Sequence, residues 1–227
     1  MLAVPSWVIP GTYIENLNFL QDKKEIDAVE LLFFIYNDDV KTELQNEWDA
    51  ITSYKKRFIF TAHLPDPVLS EHEELIVKML PHVRHFIIHG GKGFDDGADL
   101  IAAWQKEYGM EKFVLENTRE DRLEKLLEHL PGDTRICMDT GHLLIAKKSP
   151  LQFFNKYKNR IAEIHLHGTD NEKAKLDGKL VDHRPVNKND QWYKEIETLL
   201  KNFKGVINME VFSWEEVLGT LGTLEKI

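Results

Sequence analysis

The chain has 227 residues, with 29 lysines and arginines against 38 aspartates and glutamates, which gives a formal net charge of −9. Hydrophobic residues make up 42% of the sequence, a fraction typical of a globular, soluble protein and too high for an extensively disordered one. The negative charge disfavours nucleic acid as a partner, because tight duplex binding normally requires a basic face.

Cysteine content and hydropathy predict the compartment. A single cysteine, Cys137, excludes an internal disulfide framework and favours a reducing environment. The longest wholly apolar stretch, Leu31–Tyr36, is far shorter than the roughly 20 residues that cross a bilayer. The segment Met1–Pro10 lacks the basic start of a signal peptide and contains two prolines. We therefore expect a cytoplasmic protein with no membrane segment.

Short apolar runs alternate with longer segments of helical periodicity along the chain, which is the pattern of βα units. The predicted strands are Val4–Ile9, Ala28–Phe34, Arg57–Ala62, His85–Ile88, Lys112–Leu115, Arg135–Met138, Ala162–Leu166 and Gly205–Met209. The predicted helices are Tyr13–Leu20, Val40–Tyr54, Glu71–Met79, Gly97–Tyr108, Arg119–Leu130, Pro150–Tyr157, Gln191–Phe203 and Ser213–Leu224.

Eight strands that alternate with eight helices close most economically into a single (β/α)8 TIM barrel with a parallel eight-stranded core. An open, doubly wound sheet is the alternative. We predict an α/β protein in which residues 1–227 form one domain. The long polar stretch Gly168–Asp190 does not fit a short loop, so we predict a lid or binding loop there.

Histidine and carboxylate side chains fall at the C-terminal ends of six successive predicted strands. These residues are His63, His89, Glu116, Asp139, His165 and Glu210. A charged group directly after a buried run costs several kcal/mol unless it is paired, and a barrel directs all of these ends to one mouth. The pattern predicts a cluster of divalent metal ions. Mixed imidazole and carboxylate ligands favour zinc, manganese or iron over calcium.

Further candidates surround these strand ends. His142 follows Asp139 by three residues and can face the same cavity, and Asp182-His183 lies within the long seventh loop. His167 has the same strand parity as His165, and could be either a ligand or a rim residue. The remaining histidines, namely His72, His82, His85 and His129, are interpreted as surface residues.

Two residues are candidates for substrate contact. Arg184, next to Asp182-His183, could pair with a phosphate group or be a solvated loop residue. Trp7 follows the first predicted strand, where it could form part of an apolar wall for a large planar ligand or pack at the rim.

Several motifs together resemble the endonuclease IV and xylose isomerase-like barrel superfamily of metal-dependent proteins. They are Ala62-His63-Leu64-Pro65, His89-Gly90-Gly91, Leu115-Glu116-Asn117-Thr118, Asp139-Thr140-Gly141-His142, His165-Leu166-His167 and Glu210. The resemblance implies that Glu116 bridges two ions, one of which also takes His63 and His89. The second ion would take Asp139, His165 and Glu210, and a third would take His142, Asp182 and His183. The endonuclease branch usually has one residue between the last two, whereas here they are adjacent.

Other short segments resemble the cobamide-remodelling phosphodiesterases of the same superfamily. They are Ser6-Trp7-Val8-Ile9-Pro10, Ala28-Val29-Glu30-Leu31-Leu32, His165-Leu166-His167-Gly168, Asp182-His183 and Glu210-Val211-Phe212-Ser213. This resemblance implies hydrolysis of the phosphodiester that links the corrinoid side arm to the ribose of the lower nucleotide loop. Two or three zinc or manganese ions, or iron, would be the cofactors. In this scheme Glu116 and Asp139 would hold the metal pair, and Glu210 or Asp182 would accept a proton. The residues in contact with the substrate would be Trp7, His167 and Arg184.

A metal-dependent sugar or sugar-phosphate isomerase or epimerase is the alternative function. One ion held by Glu116, Asp139, His165 and Glu210 would suffice for that chemistry. The additional His63, His89 and His142 are not needed by a single-metal site, and they favour phosphodiester hydrolysis. A barrel that binds a metal or ligand without catalysis is a third possibility.

Overall fold

The computed structural model describes residues 1–90, 94–120, 122–170 and 181–224. Eight parallel strands form a closed barrel in the order β1-β2-β3-β4-β5-β6-β7-β10, which confirms the predicted α/β barrel. The barrel strands are β1 (Leu2–Pro5), β2 (Ala28–Leu32), β3 (Ile59–His63), β4 (Phe86–Ile88), β5 (Phe113–Glu116), β6 (Arg135–Asp139), β7 (Ile161–His165) and β10 (Val206–Asn208). That the whole chain is one domain stays a prediction.

Helices follow the strands around the barrel. They are α1 (Tyr13–Leu20), α2 (Asp38–Ser53), α3 (Glu73–Met79), α4 (Phe94–Tyr108), α5 (Leu123–His129), α6 (Thr140–Ile145), α7 (Pro150–Tyr157), α8 (Gln191–Asn202) and α9 (Trp214–Leu224). Three short 3-10 turns lie at Tyr54–Lys56, Ser70–His72 and Met110–Lys112. None of the helices in the described part of the chain is long and apolar enough to cross a membrane.

Two predicted boundaries are wrong in ways that affect the site. The first strand ends at Pro5 rather than Ile9, because the backbone N–H groups of Val8 and Ile9 both donate to Oδ1 of Asn16 instead of joining the sheet. The fifth helix begins at Leu123 rather than Arg119. Arg119 therefore lies in the loop after β5, at the barrel mouth.

The long seventh segment contains a second, smaller sheet. Its described parts, β8 (Gly168–Asp170) and β9 (Val181–Arg184), pair as an antiparallel hairpin. The middle of the predicted lid, residues 171–180, lies outside the described residues. The hairpin carries Asp182, His183 and Arg184 to the barrel mouth.

Inside the barrel, small apolar side chains lie below the polar residues. Ala3, Ala28 and Val206 form one buried cluster, and Ile87, Val114 and Cys137 form another. The latter three each precede a predicted ligand by two residues, so strand alternation places them on the same face as that ligand. The larger core packs between the strands and the helices, with the buried rings of Phe60, Phe86, Phe113 and Trp104 among its members.

Candidate metal centre

Glu116, at the end of β5, is surrounded by the histidines that the sequence predicts as its neighbours. Its Oε2 lies 3.1 Å from Nε2 of His63, 3.2 Å from Nε2 of His89 and 3.5 Å from Nδ1 of His165. The carboxylate is 2% exposed. Closure of the barrel thus brings the ends of β3, β4, β5 and β7 to one point.

A second group of candidate ligands shares Glu116 and His165. Nδ1 of His165 lies 3.2 Å from Oε2 of Glu210. The potential ligand atoms of Glu116, Asp139, His165 and Glu210 all lie within 4.8 Å of one another, and so do those of His63, His89 and Glu116. These two groups are the sets that the sequence predicts for the first and second ions.

The hairpin completes a third group. Oδ2 of Asp182 lies 3.9 Å from Nε2 of His142 and 3.8 Å from Nε2 of His183. The structure therefore brings the three residues predicted for a third ion together. Asp182 also accepts a hydrogen bond from the guanidinium of Arg119, a contact that the sequence did not predict.

Each of these five histidines has one ring nitrogen held by the protein, so that the other faces the centre. Nδ1 of His63, His142 and His183 can donate to the backbone carbonyls of Leu64, Asn117 and Glu210, at 2.8, 3.0 and 3.1 Å respectively. Nδ1 of His89 lies 3.3 Å from Asp66 Oδ2, and Nε2 of His165 lies 3.0 Å from Glu30 Oε2. A neutral imidazole that donates from one nitrogen presents a lone pair at the other, which is the state that binds a metal.

Three buried atoms at the centre have no hydrogen-bond partner among the described residues: Nε2 of His89, Nδ1 of His165 and Oε2 of Glu210. An unsatisfied buried polar atom costs about 1–3 kcal/mol. All three atoms belong to predicted ligands, and their nitrogen and carboxylate donors suit zinc, manganese or iron. The donor set therefore fits divalent metal ions.

Burial and neighbouring charges shift the pKa values of the ionisable groups at the centre in opposite directions. Burial lowers the pKa of His89, but the charge of Glu116 and the hydrogen bond to Asp66 outweigh it and raise that pKa to about 10. Burial likewise opposes protonation of His142, yet the charge of Asp139 helps to raise its pKa to about 9. Burial favours the neutral form of Glu116, but the charges of His165 and His89 hold its pKa well below the usual value. Positive charge at this point, as protons or as metal ions, balances the buried carboxylates.

His167 lies just behind the centre. It is fully buried, and its Nδ1 accepts the backbone N–H of His183 at 2.9 Å, so its Nε2 donates to Oδ2 of Asp139, also at 2.9 Å. The residue thus connects Asp139 to the hairpin. Its assignment as a substrate-binding residue stays a prediction, and in this arrangement both ring nitrogens are already engaged.

The other two predicted substrate contacts lie at the rim. Trp7 is 52% exposed and borders a large cavity beside the centre. Arg184 donates from Nη1 to Oε1 of Glu216 at 2.9 Å, so its guanidinium is already paired within the protein. Contacts of both residues with a substrate stay predictions.

The cavity beside the centre has a volume of about 870 Å³ and is mostly apolar. The side chains of Trp7, Phe34, Ile35 and Phe212 lie along it, and His183 connects it to the metal-ligand groups. Two carboxylates, Asp39 and Glu43, also line it. Neither lysine nor arginine occurs among the described residues around this cavity.

The interpretation of four histidines as surface residues is wrong for two of them. His85 is 3% exposed, and its Nε2 lies 2.5 Å from Oε2 of Glu163, inside the barrel. His72 is 5% exposed, and its Nδ1 accepts the backbone N–H of Leu69. His129 is exposed as expected, and His82 is partly buried against the ring of Trp48.

Solved structures with the same fold are numerous, although no protein-family model and no curated protein matches the chain by sequence. The IolI protein with a bound zinc atom has a TM-score of 0.69 at 15% identity, over 99% of this chain and 95% of that one. The 3-keto-D-glucoside 4-epimerase YcjR from E. coli has a TM-score of 0.64 at 12% identity, over 99% and 97%. Endonuclease IV from Thermus thermophilus has a TM-score of 0.57 at 14% identity, over 100% and 99%.

These likenesses confirm, at the level of the fold, the resemblance to the xylose isomerase-like and endonuclease IV barrels. At such low identity they do not select a reaction, since the similar structures include epimerases, an endonuclease and a probable 3-DHS dehydratase. The likeness to the cobamide-remodelling branch rests on the sequence motifs alone.

Proposed function

We propose that this protein is a metal-dependent hydrolase that cleaves a phosphodiester in a small molecule. The observation that carries the proposal is that three further imidazoles adjoin the four-residue group. Nε2 of His63 and Nε2 of His89 lie at Glu116, and Nε2 of His142 lies 3.9 Å from Oδ2 of Asp182. A single-metal isomerase has no use for them. Two or three ions, of zinc, manganese or iron, would account for every one of these ligands.

The residues around the centre have separate tasks in this proposal. Divalent ions at such a site stabilise the charge on a phosphate and activate water. Glu116 lies between the first and second ligand groups and holds them together. The carboxylates that can accept the proton of the attacking water are Glu210, whose Oε2 has no hydrogen-bond partner among the described residues, and Asp182, a member of the third group.

The cavity supports a substrate with a large apolar group. Trp7 and Ile35, which are 52% and 62% exposed, both line it together with Phe34 and Phe212, and a contiguous exposed apolar surface is typical of ligand-binding grooves. The carboxylates of Asp39 and Glu43 would repel a polyanionic nucleic-acid strand. A neutral or cationic group suits this surface better.

A cobamide is the substrate that we propose within this class. Its corrinoid ring is a large planar group, and several segments that resemble the cobamide-remodelling enzymes lie at this site, including Trp7, Asp182-His183 and Phe212. We also propose that the enzyme acts in the cytoplasm, because the thiol of Cys137 is buried and unpaired.

The second candidate is a sugar or sugar-phosphate isomerase or epimerase. The group formed by Glu116, Asp139, His165 and Glu210 is sufficient for one ion and one carboxylate base. Several solved structures with this fold are sugar epimerases, such as L-ribulose 3-epimerase and D-psicose 3-epimerase. One ion per chain and conversion of a sugar would favour this candidate.

The direct test incubates zinc- or manganese-loaded protein with cobalamin, a bis-aryl phosphate, abasic DNA and a panel of aldoses and ketoses, followed by mass analysis. We expect cobalamin to be split into two fragments whose summed mass exceeds that of cobalamin by one water. Glu116→Gln should abolish this cleavage, whereas Glu124→Gln, at an exposed ion pair with Lys156, should retain it. Conversion of sugars without any diester cleavage would refute the hydrolase.

A variant in the cavity tests the substrate class separately. Trp7→Ala should raise KM for cobalamin about tenfold or more, because it removes a large apolar contact. The same change should leave cleavage of the much smaller bis-aryl phosphate nearly unchanged. An equal effect on both substrates would contradict a role for the cavity in binding the larger group.

A further inference from the structure

A second polar layer lies inside the barrel, directly below the candidate metal centre. Glu163 precedes His165 by two residues on β7, so both side chains face the barrel interior, with Glu163 one step deeper. Glu30 on β2 and His85, the residue directly before β4, reach the same depth. None of these four side chains is more than 4% exposed. The mechanism proposed above uses only His165.

Glu30 is the partner of His165 in this layer. Oε2 of Glu30 accepts from Nε2 of His165 at 3.0 Å, and its Oε1 accepts from Nδ2 of Asn208 at 3.1 Å. With its proton on Nε2, His165 directs an unprotonated Nδ1 towards Glu210 and Glu116, 3.2 and 3.5 Å away. Glu30 thus fixes which nitrogen of His165 faces the centre.

His165 differs in this respect from the other histidines of the centre. The rings of His63, His142 and His183 are held by backbone carbonyls. The ring of His89 is held by Asp66, whose side chain is 37% exposed. A neutral acceptor is sufficient to orient an imidazole, and a fully buried carboxylate costs several kcal/mol of desolvation. Burial raises the pKa of Glu30 to about 8 although the charge of His165 opposes the shift, so Glu30 needs further positive charge nearby to be ionised at neutral pH.

The rest of the layer does not supply that charge to Glu30. Nε2 of His85 lies 2.5 Å from Oε2 of Glu163, so these two residues form a pair of their own. Oε1 of Glu163 is 3.9 Å from Nε2 of His165, too far for a hydrogen bond, and it has no hydrogen-bond partner in the described part of the chain. Among the described residues, this leaves the His165 ring itself and, on the far side of that ring, the metal centre as the sources of positive charge.

We infer that Glu30 is a positioning residue for the metal centre: it holds His165 as the Nε2–H tautomer, and its negative charge strengthens the bond of Nδ1 to a cation. Carboxylates behind ligating histidines have this effect in metal sites generally. The inference rests on the metal centre proposed above, and it holds for either reaction.

The test compares zinc affinity in Glu30→Gln, Glu30→Leu and Glu163→Gln with that of the wild type, by competition with a chelating dye. Glu30→Gln keeps an acceptor for Nε2–H and removes the charge, so one zinc ion per chain should bind about 10–100-fold more weakly. Glu30→Leu removes acceptor and charge, and should weaken that ion at least as much. Glu163→Gln is the control: it removes an equally buried charge that does not bond to His165, and should change zinc affinity by less than threefold.

Two results would overturn the inference. Wild-type zinc affinity in Glu30→Gln would refute the role of the charge, and equal weakening in Glu163→Gln would show that any buried charge has the same effect. Melting temperatures of the metal-free variants distinguish a role in zinc binding from a purely structural role of Glu30. A purely structural role would lower stability without changing zinc affinity. Zinc binding by the wild type is measured first, because its absence would refute the centre as well.

An NMR measurement on the wild type tests the tautomer without a variant. In the zinc-loaded protein, a long-range proton–nitrogen spectrum should show His165 protonated at Nε2, with a proton that exchanges slowly because it is buried against Glu30. A proton at Nδ1 would overturn the inference.

Discussion

At the scale of single residues, the orientation of each histidine follows from where its hydrogen-bond acceptor lies. His63, His89, His142 and His183 direct Nε2 to the centre, whereas His165 directs Nδ1. The acceptors are backbone carbonyls for three of these residues and carboxylates for the other two. The sequence predicts which histidines meet, but it does not encode locally which ring nitrogen each will present.

Protonation of two ligands leads to a prediction for metal binding. In the metal-free protein, the pKa values of about 10 for His89 and about 9 for His142 lie above the ordinary value of 6.5, so both rings are charged at pH 7.5. A histidine must lose its proton to bind a metal. We expect zinc binding at pH 7.5 to release about two protons or more per chain. Calorimetry in buffers of different ionisation enthalpy measures this number, and a heat independent of the buffer would contradict it.

The raised pKa values of His89 and His142 also predict how the stability of the metal-free protein depends on pH. A raised histidine pKa contributes stability that is fully present below the unfolded-state value of about 6.5. This contribution is lost as the pH rises through 9 and 10, where His142 and His89 lose their protons in the folded state. The metal-loaded protein should not show this loss, because the ions replace the protons.

Two buried polar residues below the centre, Glu30 and His85, were not predicted from the sequence as part of the barrel interior. Glu30 lies in Ala28–Leu32, a strand that is buried on both sides, so no apolar–polar alternation marks the inner face of the barrel. His85 begins its predicted strand, a position that predicts a surface residue, but in the structure it pairs with Glu163 inside the barrel. Glu30 pairs with His165, and His85 pairs with Glu163. Each pair joins distant parts of the chain that only closure of the barrel brings together.

At the scale of secondary-structure elements, the helices whose bounds were predicted accurately begin at a recognisable N-cap residue. The bounds of α1 and α7 match the prediction, because Thr12 forms a capping box with Glu15, and Ser149 caps a helix that has Pro150 in its first turn. The helix α6 was missed, since its six residues start directly at the end of β6. There Asp139 acts both as N-cap, accepting the N–H of His142 at 2.5 Å, and as a candidate ligand.

Helix α6 packs so closely against His167 that one added methyl group at Gly141 should destabilise the protein. A Cβ at Gly141 would lie 2.0 Å from Cε1 of His167, a fully buried ring held by two hydrogen bonds. We expect Gly141→Ala to lower the free energy of unfolding by about 1–3 kcal/mol, since this overpacking outweighs the helix propensity of alanine. It should also weaken zinc binding, because the displaced His167 releases Asp139.

Gly132 is the matched control for this change. Nothing lies within 4 Å of a Cβ built at this position, so Gly132→Ala should change the free energy of unfolding by less than about 0.5 kcal/mol. Urea titrations of both variants compare the two effects. Equal stability of Gly141→Ala and Gly132→Ala would contradict the packing of His167 against α6.

At the scale of the whole molecule, metal ions should stabilise the barrel, because their ligands come from strands distributed around it. A ligand that binds only the folded state adds about 2.7 kcal/mol at a free concentration 100 times its Kd. For a chain of this length, one such ion should raise Tm by roughly 5–10 °C. Calorimetry of zinc-loaded protein and of protein stripped with EDTA measures the difference, and identical melting temperatures would contradict it.

The central claim is that closure of the barrel gathers the strand-end histidines and carboxylates into one centre for two or three metal ions. Elemental analysis of the purified, zinc-loaded protein tests it most directly, together with Glu116→Gln, which alters the carboxylate shared by both ligand groups. We predict two to three zinc ions per wild-type chain and at most one in the variant. Fewer than two ions in the wild type, or an unchanged number in Glu116→Gln, would contradict the claim.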